Sequence, residues 1–156
     1  MPVGWNTVME IEFLRPWATL MALGAKRIET RSRATNYRGW IAIHAAKNFP
    51  KPCRDLCFAE PFHHVLWNFG VRSVDELPLG RVLAVVNITD CLPTERLLRA
   101  IPGAYGTERS FGDYSEGRSG YVTEGVRLLR KPFIARGSVT IPWKLPRAID
   151  ESDLLP

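Results

Sequence analysis

Lys26, Glu29 and Arg31 stand at the spacing Gly24-x-Lys26-x-x-Glu29-x-Arg31, the stretch of this chain where a cation, an anion and a planar donor fork are gathered most tightly. A carboxylate that only accepts hydrogen bonds can read an exocyclic amine or activate a water, while a guanidinium holds a phosphate or orients the carboxylate. Lys26 admits two readings: an amine at a cleft mouth, binding phosphate or acting in catalysis, or a solvated lysine favoured by the dipole at a helix end. Glu29 and Arg31 likewise form either a working pair or an exposed bridge worth about 0.2–1 kcal/mol. Arg38, between Tyr37 and Gly39, is expected near the same cleft. Trp17 and Trp40 are candidates for stacking on a base, with core packing as the commoner fate of such residues. Phe111-Gly112-Asp113-Tyr114-Ser115-Glu116-Gly117-Arg118 supplies aromatic, acidic and basic groups on a loop, with Tyr114 and Arg118 as candidate ligand contacts and the glycines as hinges.

The elements that must position these groups are legible from periodicity. Val8 to Leu14 alternates as a first strand. Pro16 sits where a helix first turn accepts proline, Trp17, Leu20, Met21 and Leu23 recur at near-helical spacing, and Gly24 falls at the expected left-handed stop. Past it, Ile28 and Thr30 lie on one side of a short extended segment, with Arg27, Glu29 and Arg31 on the other. Gly39 to Ala45 reads as a buried strand ending in His44, a residue more often structural than a base in such a place. A helical insertion runs from about Cys53 to Phe69, divided by Pro61 and ended by Gly70. Arg81 to Cys91 carries a nearly continuous apolar run, the signature of a strand covered on both faces. A short helix starts near Pro93 or Thr94, and a long polar loop follows from Pro102 to Gly120. Tyr121–Val126 and Leu128–Phe133 read as two extended pieces, Val139 to Trp143 closes the sheet, and 146–156 is expected to fray as an acidic tail.

Composition bounds the rest. A chain of 156 residues is expected to be one domain with an unstapled core. Its net charge of +5 and pI near 9.4 favour polyanionic partners, and no membrane partner is expected. No apolar run reaches transmembrane length, Met1-Pro2-Val3-Gly4 begins no signal peptide, and three cysteines form no disulfide framework, so a cytoplasmic protein is expected. Cys53, Cys57, His63 and His64 prompt a zinc reading, but their spacing on a proline-broken helix among Leu56, Phe58, Phe62, Leu66 and Trp67 suits packing better. Neither a metal nor a cofactor is expected.

Pro16-Trp17-Ala18, the Gly-x-Lys-x-x-Glu-x-Arg segment and Tyr37-Arg38-Gly39-x-Ile41-x-Ile43-His44-Ala45, followed by Leu79 to Asn87 and Phe111 to Tyr114, resemble in order the blocks of the ASCH domain, a member of the PUA-like superfamily. The likeness covers about 8–145. It implies an α+β fold, a PUA-like mixed β-barrel with flanking helices, and a cleft lined by Lys26, Glu29, Arg31 and Arg38. It also implies a binding module for RNA or for a single, modified or unmodified, nucleotide. An enzyme in the same cleft is the alternative, either a ribonuclease or an N4-acetylcytidine amidohydrolase. In those amidohydrolases the lysine that Lys26 matches is catalytic, and a threonine three residues on is the nucleophile. Glu29 holds that position here, so Lys26 and Glu29 would activate water instead. The eukaryotic ASCH domains add a third class, a protein-interaction or coactivator-type module, expected to expose an apolar patch around Trp67 and Phe69.

Overall fold

The computed structural model of the chain describes residues 9–100, 106–135, 143–144 and 148–156. Six strands form one mixed sheet: β1 (Met9–Phe13), β2 (Ile28–Arg31), β3 (Gly39–Ala45), β4 (Arg81–Pro93), β5 (Ser119–Ile134) and β6 (Trp143–Lys144), in the spatial order β2-β5-β4-β3-β1-β6. Only β1 and β3 pair in parallel; the other ladders are antiparallel. Five α-helices among the described residues flank it: α1 (Trp17–Ala22), α2 (Lys51–Leu56), α3 (Phe62–Asn68), α4 (Thr94–Ala100) and α5 (Gly106–Ser110). The fold is α+β. No ladder joins β2 to β6 among the described residues, so the sheet is open there rather than a closed barrel. It curls nonetheless, because the Arg31 guanidinium at the β2 edge donates to the Glu12 carbonyl of β1 at 2.8 Å.

Alternation in β3 divides the core. Ile41 and Ile43 face α1 with Ile11, Phe13, Met21 and Val86, while Ala42 faces Val82, Val85, Leu129, Ile149 and Leu154. The continuous apolar run of β4 is thus covered on both faces. This second core corrects one expectation. The end of the chain does not fray: Ile149 and Leu154 are buried across a 3-10 turn at Glu151–Asp153, and Leu155 donates to the Leu128 carbonyl at 2.8 Å. Arg127 clasps Glu151 beside them. Two apolar side chains close the sheet's open face, and that burial outweighs the polarity of their neighbours.

The helix stop at Gly24 is realised with φ +77°. The insertion divides at Pro61 as expected, into α2 and α3, and Gly70 takes φ +89° beyond it. Two expectations change. β5 is one strand of 16 residues, not two, since Gly125 at φ +69° lets its ladder with β4 shift register without breaking. The polar loop after Ala100 contains α5, while 101–105 and 139–142 lie outside the described residues.

Candidate ligand-binding cavity

β2 leaves α1 through a tight exit in which the Ala25 and Lys26 amides both donate to the Leu20 carbonyl. The amide just before β2 and the strand's own first amide are caught from outside the sheet. Glu108 of α5, only 3% exposed, accepts from the Arg27 amide at 2.9 Å and the Ile28 amide at 2.8 Å. Ile28 is buried with Leu97 and Tyr114, which fixes the strand's rotation. Glu29 and Arg31, half-buried, then line a cavity of about 600 Å³.

That cavity has an apolar wall and a polar one. Leu14 and Trp17 at the start of α1, Leu56 and Phe62 from the insertion, and Phe111 make the first. Trp17 meets Phe62 edge-on at 6.3 Å, and Phe62 meets Phe111 at 5.0 Å, so the aromatic wall is mutually braced. Glu29, Arg31, Asp113 and Arg118 make the polar wall. Both of its guanidiniums are matched in place: Arg31 Nε lies 3.7 Å from Glu29 Oε1, and Arg118 Nε 3.5 Å from Asp113 Oδ2. Glu12, which also lines the cavity, lies 3.5 Å from His44 Nδ1. Hydrogen bonds from the Ser115 hydroxyl and amide, helped by Arg118, hold the Asp113 carboxyl below its ordinary range. Glu29 Oε2 is buried without a partner. A buried acceptor left unmade costs about 1–3 kcal/mol, more when charged.

Of the residues singled out from sequence, Trp17, Glu29, Arg31 and Arg118 meet around this space. Four others do not line it. Lys26 is 2% exposed, and its Nζ donates to the Ile28 carbonyl; the residue borders a separate cavity of about 370 Å³ with Met21, Gly24 and Thr123. Arg38 is exposed at the other end of β3, donating to the Thr35 and Tyr37 carbonyls and lying 3.5 Å from Asp90. Tyr114 is buried under the loop against Ile28 and Leu97, and burial, then the charges of Glu108 and Glu29, push its hydroxyl pKa upward. Trp40 packs at the second core.

The loop itself is latched. The Asp113 amide donates to Thr30 Oγ1 at 3.0 Å and Arg118 to the Thr30 carbonyl at 3.3 Å. A Cβ on Gly112 would sit 3.0 Å from both Thr30 Oγ1 and the Tyr114 ring, so the glycine serves close approach there. Sequence reasoning missed Glu108, Leu56 and Phe62 as contributors. Nothing local distinguishes Glu108 from other loop acids, and the insertion reads as packing until its place against α1 is known. No group of three His, Cys, Asp or Glu among the described residues could hold a metal ion.

Residues 11–130 match the sequence model of the ASCH domain, most of the chain. The chain belongs to the ASCH domain family. Activating signal cointegrator 1 from Homo sapiens is 33% identical over 90 residues, 56% of this chain and 15% of that protein. Its Mus musculus counterpart is 30% identical over 99 residues, 64% of this chain and 16% of the other. The chain therefore spans only about a sixth of the length of these curated relatives. No helix among the described residues is long and apolar enough to cross a membrane.

Proposed function

We propose that this ASCH domain binds RNA or a nucleotide by taking one unpaired base, plain or modified, into the cavity between β2 and the helical insertion. The unpartnered Oε2 of Glu29 carries the reading. A base that offers an exocyclic amine satisfies that acceptor, whereas uracil presents only carbonyls and a ring N–H around it. Trp17, Phe62 and Phe111 supply the apolar surface such a base needs, and the curled sheet gives the cleft a barrel-like wall. The matched charges inside the cavity favour a neutral base there over a phosphate, which leaves backbone contacts to exposed cations.

Titration of short single-stranded RNAs by intrinsic tryptophan fluorescence tests this. Amine-bearing sequences are expected to bind more tightly than oligouridine, and Glu29→Gln to weaken binding about fivefold while the fold persists. Equal affinity for all sequences, unaffected by Glu29→Gln, would remove the base-reading role. A hydrolase in the same place is tested by mass spectrometry after incubation with N4-acetylcytidine or RNA. Any product lost in Glu29→Gln, with the fold intact, moves Glu29 from binding to chemistry.

A second reading is an interaction module of coactivator type, in line with the names of the two relatives. Phe58, Trp67 and Phe69 of the insertion are exposed, with the Arg72 guanidinium stacked 3.9 Å from the Trp67 ring. It predicts indifference to Glu29→Gln and loss of a protein partner in Trp67→Ala.

A further inference from the structure

Arg15 is the least accommodated charge in the described structure. It is 3% exposed, it follows Leu14 at the end of β1, and its only side-chain hydrogen bond among the described residues runs from Nη1 to the Leu77 carbonyl at 2.8 Å. Its Nε is buried with no acceptor. No carboxylate among the described residues lies within ion-pair reach of it. Phe49 covers it, the guanidinium carbon standing 3.9 Å from the ring centroid. On the same ring lies a second cation, Arg54 of α2, at 5.9 Å. Arg54 is exposed and likewise has no carboxylate partner among the described residues, since the neighbouring Asp55 is taken by Lys51 at 2.7 Å. Cys57 is the one acidic group whose field reaches Arg15, and burial pushes that thiol up, so it stays neutral and supplies no counter-charge. Burial first, and the like charge of Arg54 after it, lower the Arg15 pKa from its ordinary value.

Two cations on one aromatic ring without an anion repel each other, and the buried one does so through a medium that screens little. The arrangement lacks one component, an anion. Position says which kind. Leu14 and Trp17, on either side of Arg15 in the chain, line the cavity, and so does Leu56, two residues past Arg54. Inside the cavity each cation has its carboxylate; beside it these two have none. We propose that Arg15 and Arg54, both set against the Phe49 ring, form a phosphate subsite that takes the phosphate of the nucleotide whose base enters the cavity. The assignment of that phosphate to a nucleotide rests on the function proposed above; the anion site itself does not. Arg54 meets the phosphate from solvent, and Arg15, buried against the same ring, supplies positive charge behind it.

The test is an NMR titration of 15N-arginine-labelled protein with inorganic phosphate, reading the Arg15 Nε–H, followed by binding of a short RNA and of an unphosphorylated nucleoside. The expected result is a saturable shift of the Arg15 signal that is abolished in Arg54→Ala. In that variant RNA affinity falls roughly tenfold, the salt slope drops by about one, and nucleoside binding is unchanged. A signal that ignores phosphate, or one that shifts equally in Arg54→Ala, overturns the subsite. If RNA binding still depends on Glu29 in that case, the base-reading cavity survives without it. If the phosphate shift is present and neither RNA nor nucleoside binds, the subsite stands and the nucleotide reading falls.

Discussion

Glu108→Ala tests whether one buried carboxylate sets the geometry of the cavity. In the native structure the carboxylate satisfies two amides that no sheet partner reaches, those of Arg27 and Ile28. The Ile28 amide is fully buried, and leaving it unmade costs about 1–3 kcal/mol. The Arg27 amide is half-buried and can recover water, so its loss costs only about 0.5–1 kcal/mol. The expected destabilisation is therefore about 1.5–4 kcal/mol, a large part of the roughly 5–15 kcal/mol available to a domain. Glu108→Gln keeps one carbonyl oxygen and loses the charge, so about half of that is expected. Urea unfolding followed by tryptophan fluorescence measures both, with an unchanged denaturant slope required for the comparison. A change below about 0.5 kcal/mol for the alanine variant would refute the reasoning, because the amides would then be solvated. In conditions where Glu108→Gln is still fully folded, weaker RNA binding would show that the clamp also aims Glu29.

The buried hydroxyl of Tyr114 has no partner, so Tyr114→Phe should leave the fold intact and raise stability by about 1 kcal/mol at neutral pH, read from the same unfolding curves. Burial pushes the Tyr37, Tyr114 and Tyr121 hydroxyls and the Cys53 and Cys57 thiols upward. The unfolded chain loses these protons first, so their stabilisation is complete below the ordinary thiol and phenol range and is lost as pH rises through it. Urea midpoints that stay level from neutral to alkaline pH would contradict this, and Tyr114→Phe should flatten the alkaline fall. Leu154→Ala should cost about 2–5 kcal/mol, because the side chain is 1% exposed against Leu129 and Ile149; a cost under about 1 kcal/mol would mean that the segment does not pack as described.

Much of what places the cavity is local and was legible in the sequence. Pro16, the spaced apolar residues after it and Gly24 dictate a short helix with a left-handed stop, and that stop delivers Glu29 and Arg31 on one side of β2 because strand side chains alternate. Pro61 likewise divides the insertion by its missing donor. Only the tertiary structure decided what these groups meet. Lys26 and Glu29 are three residues apart, yet one is spent on a backbone carbonyl beside a second cavity while the other faces the larger one. The register between β2 and β5 determines that outcome, together with a carboxylate 80 residues away. Arg31 and Arg38 are near neighbours in sequence, yet Arg31 lines the cavity while Arg38 is exposed beside Asp90, since the chain between them leaves β2 at one sheet edge and re-enters through β3. The frayed tail failed for the same reason: whether Ile149 and Leu154 are buried depends on an open sheet face that no local pattern reveals. Charge spacing along a chain says which chemistry is available, and long-range packing alone says which charges share a cavity.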